Sequence, residues 1–296
     1  SLPPYSLDSE IIKELNVQTE KLAKALKVVG LMNVQFAVKD NQIYLIEVNP
    51  RASRTVPFVA KATDSAIASI AARIMAGETL DNFDKRDSYG SVSYNETIPL
   101  ADPMSLANPM LPWFSVKEAV MPFARFPGVD TILGPEMRST GEVMGWDRDF
   151  GRAFLKAQIG AGMKLPNKGC VFFSIKDKDK NDNLAETAQR LIKLGFNITA
   201  TRGTAAFLKE RNIPCKQINK VYEGRPNIVD TMKNGEVDLV MNTTEGAQAV
   251  KDSREIRSVA LYDKIPYFTT AAAAHAAALA IQSQTEGEIE VKSLQN

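Results

Sequence analysis

Residues 33–55, NVQFAVKDNQIYLIEVNPRASRT, contain two runs in which apolar and polar side chains alternate, at residues 34–38 and 43–48. Alternation with a period of two is typical of a half-buried β-strand, and the dipeptide Asp40-Asn41 between the runs is a turn signal. The stretch is therefore predicted to form a β-hairpin that leads into an arginine-bearing loop.

The apolar residues set the expected register of this hairpin, because a shift by one residue moves every side chain to the opposite face. A connection with an odd number of residues places Gln35 on one face with Glu47 and Asn49. The opposite face then carries the apolar residues Val34, Phe36, Val38, Tyr44, Ile46 and Val48. A carboxylate and two amides without histidine suit a hard cation such as Mg2+ that is held together with substrate phosphates. Arg51 and Arg54, just beyond the hairpin, are placed to bind a phosphoryl group. The alternative is an ordinary amphipathic hairpin with a solvated polar face.

Composition restricts the class of protein. The 296 residues include 36 basic and 35 acidic ones, a net charge of +1, which favours neither a nucleic-acid nor a membrane partner. Cys170 and Cys215 form no C-x-x-C motif, so we expect no disulfide framework and a cytoplasmic location. No run reaches the roughly 18 apolar residues of a membrane span. The chain has no initiator methionine and no glycine-rich phosphate loop ahead of the hairpin, and we expect it to be a piece of a longer protein.

Patterns on both sides of the hairpin predict further elements before residue 161. They are, in chain order, a helix over residues 8–29 ending at Gly30, a buried helix over residues 66–76, an irregular connection over residues 79–112, a strand over residues 115–123, a glycine-punctuated loop up to residue 145 and a helix over residues 147–161.

From residue 168 onward, short apolar runs alternate with helical patterns. Five such strands and five helices predict a doubly wound α/β domain with a parallel sheet. The predicted strands are GCVFFSI, FNITAT, CKQIN, VDLVMNTT and IPYFTT, and the predicted helices are residues 183–194, GTAAFLKERN, PNIVDTMKNG, GAQAVKDSREIRSVALYDK and AAAAHAAALAIQ. The glycine, proline and lysine of residues 160–168 mark the boundary, so the predicted domains are residues 1–160 and 161–296.

Ligands of open α/β sheets bind beyond the carboxyl ends of the strands. TRGT at residues 201–204 follows the second strand and opens a helix, and NTT at residues 242–244 follows the fourth. Backbone amides, the helix dipole and hydroxyls together form an anion site, to which Lys180 and Lys220 add charge. These loops predict a phosphate-bearing ligand such as a nucleotide. The alternative is that the hydroxyls cap helices and that the lysines of residues 176–180 form a solvated run.

IEVNPRASRT after a glutamine-bearing strand resembles the metal-binding end of an ATP-grasp domain. It is most similar to the second ATP-grasp half of the large subunit of carbamoyl phosphate synthetase. The resemblance implies that Gln35, Glu47 and Asn49 bind Mg2+ or Mn2+ between the phosphates of ATP, with K+ as an additional candidate. It also implies that Arg51 lies where carbamate is phosphorylated, and Arg51 and Arg54 are the catalytic candidates.

TRGT, NKVYEGRP and NTTEG resemble the regulatory domain of the same family, whose fold is like that of methylglyoxal synthase. The resemblance implies the effectors UMP and IMP, with a phosphate site formed by Lys180, Thr201, Thr204, Lys220, Asn242 and Thr244. It further implies an ornithine site at Glu118, Tyr267 and Thr269. Phe268 stands where the family has an acidic residue, which is a departure from the family's pattern.

The resemblance covers nearly the whole chain, including LGPEMRSTGEVMG at residues 133–145. It implies the C-terminal remnant of an ATP-grasp α+β domain, followed by a doubly wound five-stranded parallel α/β domain like methylglyoxal synthase. The implied protein is the large subunit of a ligase that makes carbamoyl phosphate from bicarbonate, glutamine-derived ammonia and two ATP for pyrimidine and arginine synthesis. Its implied partners are a glutaminase small subunit and further copies of itself.

Two other functions are alternatives to that of a carbamoyl-phosphate-forming ligase. Because the glycine-rich loop of the ATP-grasp domain is absent, we expect no ATP turnover by this chain alone, and the alternative is a stand-alone nucleotide- or phosphate-binding regulatory module. A lyase like methylglyoxal synthase is disfavoured, since that chemistry uses histidine and aspartate as acid and base. The single histidine, His275, lies instead in the alanine-rich helical run AAAAHAAALA.

Overall fold

The computed structural model describes residues 1–83, 113–121, 123, 131–132 and 141–291. Most of the predicted connection at residues 79–112 and of the motif at residues 133–145 lies outside these ranges. The chain divides into two compact units, Ser1–Ser115 and Val116–Val291. The boundary predicted at residues 160–161 rests on the glycine, proline and lysine of residues 160–168, and it stays a prediction.

The predicted hairpin consists of β1 (Asn33–Lys39) and β2 (Gln42–Asn49), which pair antiparallel. Its loop contains only Asp40 and Asn41, with φ values of 52° and 58°. Two successive residues with positive φ form a type I′ turn, whose twist matches that of the strands. The connection therefore has an even number of residues, and the predicted odd-numbered connection is wrong.

A β-bulge changes the register partway along the hairpin. Gln35 lies opposite Glu47, whereas the next residue, Phe36, lies opposite Leu45. Ile46 is therefore the additional residue on β2. The bulge has the effect that we assigned to an odd connection, because it brings the polar residues of the two strands onto one face.

The apolar face of the hairpin differs from the prediction on the turn side of the bulge. Ile43 and Leu45 lie opposite the apolar residues of β1 there. The prediction that Tyr44 and Ile46 share this face is wrong, and Ile46 is 62% exposed. A side-chain pattern read along one strand cannot show that a residue has been inserted relative to its partner strand.

In the described part of the first unit, three α-helices accompany the hairpin: α1 (Ser9–Ala25), α2 (Thr55–Thr63) and α3 (Ile67–Met75). Helix α1 ends earlier than predicted, since Lys27 already has a positive φ of 50°. Helix α2 was not predicted, and it tolerates Pro57 because that residue lies in the first turn. Helix α3 confirms the prediction for residues 66–76. It is not a buried helix, however, because within its described length only Ala71 is buried.

The next elements are β3 (Phe114–Ala119), β4 (Glu142–Asp147) and α4 (Phe150–Gly160). The two strands form a small sheet, so the prediction that residues 142–145 belong to a loop is wrong. The strand predicted over residues 115–123 is confirmed as far as Ala119, where it ends earlier than predicted, and the helix predicted over residues 147–161 is confirmed as α4. A Cβ at Gly145 would overlap the backbone of Ala153, so the close approach of β4 and α4 requires glycine.

The predicted five-stranded parallel sheet is confirmed, in the order β7-β6-β5-β8-β9. Its strands are β5 (Gly169–Ser174), β6 (Phe196–Thr201), β7 (Lys216–Ile218), β8 (Leu239–Asn242) and β9 (Tyr267–Phe268). Its helices are α5 (Asp182–Lys193), α6 (Arg202–Glu210), α7 (Ile228–Lys233), α8 (Ala247–Asp252), α9 (Arg254–Tyr262) and α10 (Ala271–Thr285). Adjacent residues of β5 serve different cores, because Phe172 belongs to one buried apolar cluster and Phe173 to the other.

One predicted helix is interrupted. The stretch GAQAVKDSREIRSVALYDK forms α8 and α9 rather than a single helix. The break is at Ser253, whose hydroxyl donates a hydrogen bond of 2.9 Å to the carbonyl oxygen of Ala249. Serine hydroxyls that bond to the preceding turn bend helices, which an apolar periodicity does not reveal.

Helix α4 packs closely against α10, and two of its glycines provide a test of this contact. A Cβ at Gly151 would lie 2.8 Å from the carbonyl oxygen of Leu279 on α10, whereas a Cβ at Gly160 would lie 3.3 Å from the side chain of Val143. We expect Gly151→Ala to lower the free energy of unfolding by about 1–3 kcal/mol through overpacking. Gly160→Ala is the control, because both variants gain up to about 1 kcal/mol of helix propensity, whereas the Cβ at Gly160 would press on a side chain, which can shift slightly, and not on backbone. Urea unfolding of both variants measures this, and equal stabilities would contradict the close contact.

Candidate functional site

A pocket of about 870 Å³ lies at the carboxyl edge of the parallel sheet. Its walls come from the residues that follow β5, β6, β7 and β8. The strand order reverses between β5 and β8, and ligands of open α/β sheets bind at such a point. All six residues predicted for the phosphate site line this pocket, namely Lys180, Thr201, Thr204, Lys220, Asn242 and Thr244. The structure therefore brings together loops that are up to 64 residues apart, although the ligand itself stays a prediction.

The threonines of TRGT connect the ends of two strands. Thr204 is 1% exposed, and its hydroxyl oxygen accepts a hydrogen bond of 3.0 Å from the backbone N–H of Ile175, just after β5. Thr201 donates its own hydroxyl to Thr204 Oγ1 at 3.3 Å. Thr204 therefore supports the pocket by holding the loop after β5 against the start of α6.

A corresponding contact comes from the other side of β5 and was missed in the predicted set. The hydroxyl oxygen of Thr243 accepts a hydrogen bond of 3.0 Å from the backbone N–H of Lys176. The backbone N–H of Thr243 in turn donates to the carbonyl oxygen of Ser174 at 2.9 Å. The only sequence signal for this role was its place in NTT, directly after a strand.

Asn242 links the pocket to a residue predicted for the ornithine site. Its side chain is 1% exposed, and its Nδ2 donates a hydrogen bond of 2.6 Å to the hydroxyl oxygen of Tyr267. Residues predicted for two different ligands are therefore in direct contact.

The two predicted lysines, Lys180 and Lys220, line the pocket together with the further basic residues Lys176, Lys178 and Arg202. Lys180 is largely buried and its Nζ lies 2.6 Å from Asp177 Oδ1. A Cβ at Gly203 would lie 3.1 Å from the same Nζ, so this ammonium group lies beside the first turn of α6. Lys220 is exposed and lines the pocket from the segment after β7. The hydrogen bond and charge of Lys180, with a smaller contribution from Lys220, hold the pKa of the Asp177 carboxyl below its usual range.

The hairpin brings together the three predicted metal ligands. Gln35 Nε2 and Asn49 Nδ2 each donate a hydrogen bond of 2.8 Å to Glu47 Oε1. Arg51 Nη2 lies 3.5 Å from Asn49 Oδ1, and Arg54 precedes the first turn of α2. One carboxylate and two side-chain amides supply the oxygen atoms that a hard cation prefers as ligands. Both amide groups direct their NH2 nitrogens toward Glu47 Oε1, and holding a cation beside that carboxylate would require each amide to present its oxygen instead.

Among the residues that the structure describes, no group of three or more histidine, cysteine, aspartate or glutamate side chains is arranged to hold a metal ion. A cation at the hairpin would therefore have the single carboxylate of Glu47 and would rely for its other ligands on amide oxygens and on oxygen atoms from a substrate.

The three residues predicted for ornithine have different surroundings. Glu118 on β3 is half-buried, its Oε2 accepts a hydrogen bond of 2.8 Å from Gln158 Nε2 on α4, and burial raises the pKa of its carboxyl. Tyr267 belongs to β9 and contacts Asn242. Thr269 is exposed just beyond β9. Their common role stays a prediction.

His275 lies on α10 and is not among the residues that line the pocket. Its Nδ1 lies 3.1 Å from the hydroxyl oxygen of Thr187 on α5. That hydroxyl donates to the carbonyl oxygen of Asn183 at 2.7 Å, so it accepts from the imidazole. These contacts give His275 a place between two helices.

Across the described ranges, the helices are too short or too polar to span a membrane.

Two family models match the chain. Residues 2–83 match the description "Carbamoyl-phosphate synthase L chain, ATP binding domain", and residues 183–269 match "MGS-like domain". The first match contains the hairpin and the second contains most of the parallel sheet.

Curated relatives are similar over the whole chain. The carbamoyl phosphate synthase large chain of Mesorhizobium japonicum is 52% identical over 295 residues, which are 100% of this chain and 24% of the relative. That of Brucella suis is 52% identical over 296 residues, with the same coverage. That of Pasteurella multocida is 51% identical over 290 residues, 98% of this chain and 25% of the relative. The chain thus spans about a quarter of the length of these relatives.

The supporting role of Thr204 is testable through stability. Thr204→Val keeps the shape of the side chain but leaves the buried N–H of Ile175 without its acceptor. We expect it to lower the free energy of unfolding by about 1–3 kcal/mol, whereas Thr204→Ser keeps the hydroxyl and most of the stability. Urea unfolding compares the three proteins, and a valine variant as stable as the wild type would exclude this role.

Burial of Glu118 has a consequence for the pH dependence of stability. Because its pKa is raised in the folded chain, the protonated form is favoured there, and stability is lost as the pH rises through that pKa. Glu118→Gln should therefore be more stable than the wild type at about pH 7, and the difference should vanish at about pH 4.

The matched control is Glu142→Gln on the partner strand. Glu142 is paired with Lys117 at 2.9 Å, so removing its charge should bring no gain at either pH. Thermal unfolding at both pH values gives the comparison. A pH-independent effect of Glu118→Gln would show that burial of the charge is not the cause.

Proposed function

Because the chain is similar over its whole length to carbamoyl phosphate synthase large chains and spans about a quarter of them, we propose that it is the C-terminal portion of such a large subunit. The whole protein is then an ATP-dependent carbon-nitrogen ligase. It makes carbamoyl phosphate from bicarbonate, glutamine-derived ammonia and two ATP, for pyrimidine and arginine synthesis in the cytoplasm. Its partners are a glutaminase small subunit and further copies of the large subunit.

Within this protein, the parallel-sheet pocket is the allosteric effector site. The observation that carries this assignment is the convergence of all six predicted residues on one pocket at the switch point of the sheet. The ammonium groups of Lys180 and Lys220 and the N-terminal turn of α6 favour a dianionic phosphate. The same pocket is lined by the apolar side chains of Val221, Ile228 and Ile256, which suit the uncharged part of a nucleotide such as UMP or IMP.

The hairpin forms the metal-binding end of the carbamate-phosphorylating site. Mg2+ or Mn2+ supplies charge that neutralises nucleotide phosphate oxygens. Glu47 holds the cation with its carboxylate, Gln35 and Asn49 contribute amide oxygens, and Arg51 and Arg54 orient the phosphoryl group. The contact of both amides with Glu47 supports this set, since it brings the three side chains to one point.

Ornithine is proposed to bind near Glu118, Tyr267 and Thr269. A half-buried carboxylate such as Glu118 is suited to an ammonium group, because the pair neutralises a charge that burial disfavours. The hydrogen bond between Tyr267 and Asn242 then connects ornithine to the phosphate pocket. Binding of one effector is expected to change the affinity for the other, and this coupling is reciprocal.

A stand-alone regulatory module is the second candidate. It is favoured by the location of the pocket, whose lining residues all lie between Phe172 and Ile256, within the second compact unit. In this case the chain binds a phosphate-bearing ligand without any chemistry of its own.

Isothermal titration of the purified chain with UMP, IMP, ornithine and ATP with Mg2+ tests the ligand site that both candidates place in this pocket. We expect UMP or IMP to bind and Lys180→Met to weaken binding about 10- to 100-fold, because hydrogen bonds to charged groups contribute roughly 1.5–3 kcal/mol. Lys193→Met at the end of α5, which does not line the pocket, is the control and should bind normally. Absence of binding by the folded wild-type chain would contradict an effector site.

A further inference from the structure

The lysine of the pocket that is most buried already has an anionic partner within the chain. Lys180 has a side chain that is 15% exposed, and its Nζ lies 2.6 Å from Asp177 Oδ1, whereas the Asp177 side chain is 96% exposed. Both residues line the pocket. The carboxylate therefore reaches the ammonium group from the solvent side of the pocket, which is the side from which a ligand arrives.

The Asp177 carboxylate occupies a position that several nearby groups make favourable for an anion. The ammonium group of Lys180 lies beside Gly203 in the first turn of α6, where helix N–H groups and the dipole attract negative charge. Lys220 acts on the Asp177 carboxyl from another wall, and its charge contributes to the lowered pKa of that group. The charges that would hold a phosphate therefore also hold Asp177.

We propose that Asp177 is an internal competitor of the phosphate-bearing ligand, which must displace its carboxylate from Lys180 in order to bind. This inference rests on the proposed effector site and names a residue that sets its affinity and selectivity. A phosphate dianion exceeds the carboxylate in charge and in acceptor oxygens, so it displaces the carboxylate. A ligand with a single negative charge has no such advantage and is disfavoured.

The local backbone allows this exchange without rearrangement. Asp177 begins a short 3-10 helix at Asp177–Asp179, which the backbone N–H of Lys180 closes with a hydrogen bond of 3.1 Å to the carbonyl oxygen of Asp177. The turn is therefore held by the backbone, and rotation of the Asp177 side chain is sufficient to release Lys180. The released ammonium group remains beside α6 for the ligand.

The test compares Asp177→Asn with the wild type in titrations with UMP and with inorganic phosphate. Removal of the competitor should tighten binding of both about two- to fivefold, the range set by the coupling of exposed ion pairs. Asp182→Asn is the matched control. Asp182 has a fully exposed side chain 3.7 Å from Arg211 and does not line the pocket, so the same loss of charge should leave both affinities unchanged.

A second pair of variants separates direct competition from a general effect of charge. In the Lys180→Met background, Asp177→Asn should bring no gain, because the carboxylate no longer has the partner for which it competes. An Asp177→Asn variant that binds no more tightly than the wild type, or whose gain persists without Lys180 or is matched by Asp182→Asn, would overturn the inference and leave the effector site standing. If the folded wild-type chain binds neither probe, the effector site falls and the inference falls with it.

Discussion

The parallel pairing of β5 with β6 on one side and β8 on the other determines the rest of the second unit. Strand β5 is buried on both faces, with Phe172 and Phe173 at 0% exposure in separate apolar clusters. Because all five strands run in the same direction, the segments after them meet at one edge of the sheet. The position of the pocket thus follows from the direction of the strands, and its chemistry from the polar residues that follow them.

Much of this second unit could be predicted from sequence, because its signals are local. Short apolar runs, helical periods and the glycines between them identified each strand of the parallel sheet, and the polar stretches after FNITAT and VDLVM identified two walls of the pocket. The interruption at Ser253 could not be predicted in this way, since it depends on a side-chain hydrogen bond. The contribution of Thr243 was also missed, because it becomes apparent only when the loop after β5 lies beside the end of β8.

The hairpin differs from the parallel sheet in this respect. The sequence correctly predicted which polar residues share a face, but it did so with a wrong strand register. Gln35, Glu47 and Asn49 do meet, but through an even turn and a bulge at Ile46 rather than through an odd connection. The alternation of side chains along one strand shows which of its residues share a face. It does not show whether that strand contains an extra residue relative to the strand with which it pairs. Strand β4 was missed for a related reason, since its pairing with β3 joins segments that are distant in sequence.

The hydroxyl groups on either side of β5 have a consequence for molecular recognition. Thr204 and Thr243, which follow different strands, each accept a hydrogen bond from a backbone N–H of the loop that carries Lys180. The beginning of that loop is fixed before any ligand arrives, so association requires little ordering of the backbone. The entropic cost of binding a ligand at this edge of the sheet is correspondingly small, because less conformational freedom is lost on association.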